Sequence, residues 1–288
     1  MDWTIKETAE VPKARTGKGD DRLLVRSDND GLALLAVVDG TTDKSGRHFD
    51  GRCGGALAAE CVVDTLCHVR PNTPPAELVA TVTRDLAEMH RRWGIGASDT
   101  PPPSAVAAIF LPRQGVVVRV GDVHLALRRR GEWQQHPANK RIDVVAAEAR
   151  AALLAAHLRA GVPLLELAEH DPGREMILPL LRSQHHFANK PDSDDGLAFG
   201  VLNGRPVPQR FVESLDLDGA TEIVLATDGY LGPSSTLSLA EHALQVSLAQ
   251  DPLRIGAYPA TKGIRPGANG HDDRTYVRLV RDDPDGPR

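Results

Sequence analysis

The sequence predicts an α+β fold, a layered α/β/β/α sandwich of two mainly antiparallel sheets flanked by helices. Two aliphatic runs, Leu32-Ala33-Leu34-Leu35-Ala36-Val37-Val38 and Ile223-Val224-Leu225-Ala226, have the length and β-branched content of strands buried on both faces. Two helical patterns in succession, then three strand-like segments, depart from the strand–helix alternation of a doubly wound parallel sheet. The 288 residues, 41% hydrophobic and 25% charged, have ordinary globular composition and suffice to bury a substantial core.

Residues up to about 27 form one or two extended segments, interrupted by the polar loop Lys13-Ala14-Arg15-Thr16-Gly17-Lys18-Gly19-Asp20-Asp21-Arg22. The strand ending in Asp39-Gly40 leads into a second polar loop, Thr41-Thr42-Asp43-Lys44-Ser45-Gly46-Arg47-His48. Leu57, Cys61, Val62, Thr65 and Leu66 recur at helical spacing and predict a helix over 54–68. Thr73-Pro74-Pro75-Ala76-Glu77 opens another, with proline tolerated in the first turn, and Gly94 ends it. Segments 105–111, 116–120 and 124–129 read as an antiparallel meander linked at Arg113-Gln114-Gly115 and Gly121-Asp122. Helices follow over 142–160, from Pro163 to about 170, and over 176–186. Residues 196–204 are strand-like, with a turn at Asn203-Gly204. Then come paired strands at 210–215 and 221–228, an amphipathic helix at 237–249 and a last strand at 274–280. The expected organisation is one domain over 1–281, with a helical insertion at about 142–190, and a disordered polar tail over 282–288.

The net charge of -5 supplies no basic field for nucleic acid or an anionic membrane, so neither is an expected partner. No run approaches the roughly 20 apolar residues that cross a bilayer. Met1-Asp2-Trp3-Thr4 lacks the charged-then-apolar order of a signal peptide, so a cytoplasmic location is expected. Cys53, Cys61 and Cys67 lack CxxC spacing and read as small core residues.

Both core strands end on Asp-Gly, at Asp39-Gly40 and Asp228-Gly229, and two acidic pairs, Asp20-Asp21 and Asp272-Asp273, adjoin other extended segments. One such pair is an ordinary turn. Four in these contexts point to converging carboxylates, which repel one another unless a cation lies between them. Hard divalent ions, Mg²⁺ or Mn²⁺, prefer such oxygen ligands, so the pattern predicts a dinuclear acidic metal site.

The order Asp20-Asp21-Arg22, Val37-Val38-Asp39-Gly40, Val120-Gly121-Asp122, Ala226-Thr227-Asp228-Gly229 and Asp272-Asp273-Arg274-Thr275 resembles the metal-dependent protein phosphatases, the PPM or type 2C serine/threonine phosphatases, in a divergent bacterial form. The resemblance runs from about Arg15 to Val280. It implies a β-sandwich flanked by helices and a phosphomonoester hydrolase with two Mn²⁺ or Mg²⁺ ions, joined in some bacterial members by a third. Asp39 would bridge both ions, the Gly40 carbonyl would bind the second, and Asp228 and Asp272 would complete the first. Asp20 stands where the family usually has an outer glutamate ligand, with Asp21 as the supporting acid beside it. Asp122 matches the acid used for a third, weaker ion. Two such ions lower the pKa of a water between them and clamp an in-line displacement at phosphorus.

The phosphate-binding arginine of the resemblance falls near Arg15, one residue out of register, with Lys18 competing for the role. Thr41-Thr42 stand where eukaryotic members have Gly-His, and the last motif is Asp-Asp rather than Asp-Asn. Lys44 and Arg47, just after the bridging acid, are candidates for binding a substrate phosphate, and Lys262 for reaching the metal rim. Three functions are consistent with this reading: a protein serine/threonine phosphatase in the lead, a phosphatase of a small phosphorylated molecule, or a non-catalytic regulatory or binding module of the same fold. The corresponding partner is a phosphorylated protein or a small phosphorylated molecule.

Overall fold

The computed structural model describes residues 3–42, 44, 46–96, 101–137, 140–190 and 196–282. The tail expected over 282–288 lies, beyond Asp282, outside the described residues. In chain order come β1 (Trp3–Val11), β2 (Arg22–Asp28), β3 (Gly31–Gly40), the short pair β4 (His48–Phe49) and β5 (Arg52–Cys53), α1 (Gly54–His68) and α2 (Pro75–Arg92). Next are β6 (Ala105–Leu111), β7 (Val116–Val120), β8 (His124–Arg129), β9 (Glu132–His136), α3 (Arg141–Arg159), α4 (Leu164–Glu169) and α5 (Pro172–Ser183). The chain closes with β10 (Val212–Asp216), β11 (Ala220–Ala226), α6 (Leu237–Gln250) and β12 (Arg274–Arg281).

One antiparallel sheet has the order β1-β12-β11-β8-β9 and the other β10-β7-β6-β3-β2. Side-chain alternation along each strand sorts the core into layers. On β3, Leu35 and Val37 face the gap between the sheets, where they meet Val106, Phe110, Leu125, Ile223, Leu225 and Val277. Leu34, Ala36 and Val38 face the other way, into Leu57, Val62, Leu66, Leu78 and Leu86 of α1 and α2. On the outer face of the first sheet, Val224, Ala226 and Tyr276 pack on Ala240 and Leu244 of α6. The layers are therefore α/β/β/α, as the sequence predicts. No helix among the described residues is long and apolar enough to cross a membrane.

Three local expectations differ from the structure. The meander is broken: β7 pairs with β6, but β8 lies in the opposite sheet between β11 and β9. The chain switches sheets at Gly121, whose φ of +88° and whose closeness to Val106, where a Cβ would come within 2.2 Å of Cγ1, admit no side chain. Gly121→Ala should cost about 1–3 kcal/mol of stability, read as a lowered denaturation midpoint at unchanged m-value. The second difference lies at β10 and β11, which belong to different sheets because the link 217–219 crosses between them, with Leu217 buried in the gap. Third, 196–204 is no strand. It makes only the single bridges Ala105↔Leu202 and Ala188↔Phe199.

β9 is absent from the sequence reading because Glu132-Trp133-Gln134-Gln135-His136 has one large apolar residue and no buried face. It forms because Arg130 (φ 51°) and Gly131 (φ 85°) make a two-residue turn with both φ positive, which folds it back on β8. The cysteines are also less buried than expected: Cys53 and Cys61 are half-buried and Cys67 is exposed.

Candidate active site

The alternation that layers the core also aims the acids. Asp39 follows Leu35 and Val37 on the gap-facing side of β3, so its carboxyl emerges where the gap opens at one end of the sandwich. Gly40 falls on the helix-facing side, against Gly55 of α1, where a Cβ on Gly40 would come within 2.5 Å of the Gly55 carbonyl oxygen. Antiparallel pairing brings the other acids to the same end. Arg22 lies opposite Val38, placing Asp20 and Asp21 beside the end of β3. Ala226 lies opposite both His124 and Tyr276, placing Asp228 near Asp122 and Asp272.

One cavity is lined by Asp39, Asp122, Asp228 and Asp272. Burial raises the pKa of Asp39 well above the usual carboxylate range, and Asp21, Asp228, Asp272 and Asp122 raise it further. Asp228 is exposed at the rim, yet crowding there, with Asp272 and Asp122 close by, pushes it up to about 7. Asp272 is the opposite case: burial would raise it, but Lys262 and Lys13 hold it down at about 2. Lys262 Nζ lies 2.6 Å from Asp272 Oδ2 and donates to Thr42 Oγ1 at 3.2 Å.

The remaining acids have partners of their own. Asp21 is buried, which raises its pKa, and accepts a hydrogen bond from Thr227 Oγ1 at 2.8 Å. Asp20 Oδ1 accepts from the Cys53 thiol at 2.6 Å, and its Oδ2 lies 3.3 Å from Lys13 Nζ. Lys13 also contacts Asp273 Oδ2 at 2.8 Å and Asp272 Oδ1 at 3.7 Å. Lys13 thus links three of the acids.

Of the sequence-predicted substrate-binding residues, Lys44 lines the cavity. Arg15 and Lys18 are exposed and do not line it. Arg47 is exposed as well and stacks over the Phe49 ring at 5.2 Å. Sequence reasoning missed Lys13, Lys140 and Arg174. Lys140 and Arg174 line the same cavity as the acids; their only signal was a place in the stretch after Asp122.

Among the described residues no group of three or more His, Cys, Asp or Glu side chains is gathered in metal-ligating geometry. The donor chemistry at the rim nevertheless suits a hard cation. Asp39 and Asp228 supply carboxylate oxygens pressed together, and neither forms an ion pair with a described Lys, Arg or His, a repulsion that a divalent ion relieves.

No protein-family model and no curated protein matches the sequence. Solved structures do match the fold. The serine/threonine phosphatase Stp1 from Staphylococcus aureus superposes at a TM-score of 0.51 and 12% identity, over 96% of this chain and 94% of that one. The Mycobacterium tuberculosis serine/threonine phosphatase PstP/Ppp superposes at 0.50 and 18% identity, over 98% and 100%. The PstP catalytic domain in complex with two manganese ions gives 0.50 and 18%, over 96% and 98%. The chain thus has the fold of the bacterial serine/threonine phosphatases, in divergent sequence.

Proposed function

We propose that the protein is a metal-dependent phosphomonoester hydrolase whose cation centre is formed by Asp39, Asp228 and Asp272, with Asp122 beside it. The observation that carries this reading is the gathering of Asp39, Asp122, Asp228 and Asp272 in one cavity, with neither Asp39 nor Asp228 in an ion pair among the described residues. The two manganese ions bound by a protein of the same fold support it. When bound, divalent cations bring the pKa of water towards neutrality and neutralise charge on phosphoryl oxygens.

The chain's own residues have separate tasks. Asp39 and Asp228 would hold the cations from the ends of β3 and β11. Thr227, whose Oγ1 accepts from Thr275 N at 2.8 Å while donating to Asp21, ties β11, β12 and the segment before β2 together and fixes the spacing of those ends. Lys262 keeps Asp272 ionised. The fold neighbours, serine/threonine phosphatases by name, suggest phosphoserine or phosphothreonine in proteins as substrate; the small cavity favours a small phosphorylated molecule.

A second reading, a binding module that has kept the fold, is favoured by Lys13, an internal cation where Asp20, Asp272 and Asp273 meet. Hydrolysis of p-nitrophenyl phosphate by EDTA-stripped protein, with and without Mn²⁺ or Mg²⁺, separates the two. Turnover only with metal is the expected result. Folded protein that titrates Mn²⁺ calorimetrically yet turns over nothing would establish the module instead.

A further inference from the structure

The cavity that holds the acids is also lined by four cations: Lys44 from the loop after β3, Lys140 just before α3, Arg174 in α5 and Lys262. Three of these cations have partners. Lys140 Nζ is 2.9 Å from Asp143 Oδ2, Lys262 is on Asp272, and Arg174 Nη1 donates to the Thr261 carbonyl at 2.9 Å. Lys44 differs: among the described residues it forms no ion pair, and Asp143, the acid acting on it most, is committed to Lys140. Enclosure, together with the nearby charges of Lys140, Lys262 and Arg174, pushes its ammonium down to about 8. The carboxylates of the same cavity are engaged with one another or with Lys140 and Lys262, and among the described residues the Lys44 ammonium has no side-chain partner, so it is the cation positioned to take an anion.

We propose that Lys44 and Arg174, backed by Lys140, form the phosphoryl-binding wall of this protein, in place of Arg15, and that the ligand is a compact phosphate monoester rather than a phosphoprotein. The substrate class rests on the hydrolase reading above; the anion site does not. Geometry supplies the class. The space inside the cavity is about 80 Å³, and the apolar side chains of Leu181 and Phe199 line it with the cations. Such a space admits a phosphoryl group and a small attached body, whereas an extended peptide needs an open groove. Lys44 and Arg174 therefore meet the non-bridging oxygens of a phosphate whose ester oxygen points away from the acids, as in-line attack from the acid rim requires, with charge-assisted hydrogen bonds of the kind a planar guanidinium forms best.

The test is calorimetric binding of inorganic phosphate to the full chain, with Mn²⁺ supplied and after EDTA, in wild type, Lys44→Met and Arg15→Met. The expected result is about tenfold or greater weakening in Lys44→Met with melting temperature kept or raised. Affinity unchanged in Lys44→Met, or lost in Arg15→Met instead, overturns the proposal. Competition decides the class: glycerol 3-phosphate should displace phosphate, and better displacement by a phosphothreonine peptide overturns the small-ligand assignment. Lys44-dependent phosphate binding without metal-stimulated hydrolysis would remove the hydrolase reading and leave the anion site; hydrolysis with Lys44-independent binding would do the reverse.

Discussion

Asp39→Asn should abolish metal-stimulated phosphatase activity while leaving the metal-free protein at least as stable as wild type. The substitution is nearly isosteric, so the packing of β3 between its neighbours is unchanged, but it removes a charge from a rim where Asp39 meets Asp21, Asp122, Asp228 and Asp272. Supporting residues around a metal already cost about 10–100-fold when altered, so loss of a ligand shared by the whole centre should cost at least about 100-fold in kcat/KM. Mn²⁺ affinity, measured by calorimetry, should fall in parallel. The melting temperature without metal should hold or rise, because relief of carboxylate repulsion favours the fold. A variant that keeps full metal-dependent activity would show that Asp39 is not the hub of the centre.

Arg150→Met should lower stability by about 3–5 kcal/mol, the cost of breaking a buried ion pair from one side, and the melting temperature by roughly 10 °C. Arg150, in α3, is fully buried, and its Nε donates to Asp171 Oδ2 at 2.8 Å. Its Nη1 donates to the carbonyls of Leu253 and Ala260, both at 2.9 Å. Asp171 is at the same time the N-cap of α5, accepting from Arg174 N at 2.7 Å. One guanidinium therefore joins α3, the start of α5 and the loop that carries Lys262. Pairing the change with Asp171→Asn, which keeps a capping side chain, should recover part of the loss. A single-variant loss under about 1 kcal/mol would show that hydrophobic contacts such as Leu154 against Leu253 hold this region instead.

What sequence showed and what it hid divide by physical origin. β3, β6, β7, β8 and α1 were legible because their apolar residues carry the period of the element and Gly, Pro or Asp marks their ends. The acid ends were legible for the same reason: Asp39 and Asp228 each terminate a buried run, so their place at a rim is local information. Sheet membership was not local. Nothing in Val120-Gly121-Asp122 distinguishes a hairpin from a crossing, and the deciding contact, Gly121 on Val106, is tertiary. The cations were hidden likewise. Lys13 meets Asp273 across 260 residues of chain, and Arg174 reaches the cavity only because α5 is tied down through Asp171. Lys44 was legible as a candidate because it follows the strand that delivers Asp39.

The pairing of β1 with β12, from Trp3↔Arg281 to Val11↔Arg274, bears on how the chain comes into being during translation. β12 is also the partner of β11, so until residues 274–281 leave the ribosome both β1 and β11 present bare backbone along one edge, the kind of edge that recruits other strands. Asp272 and Asp273 emerge just ahead of that strand. A nascent chain thus cannot gather the acidic rim until residues 274–281 have emerged and the sandwich can close.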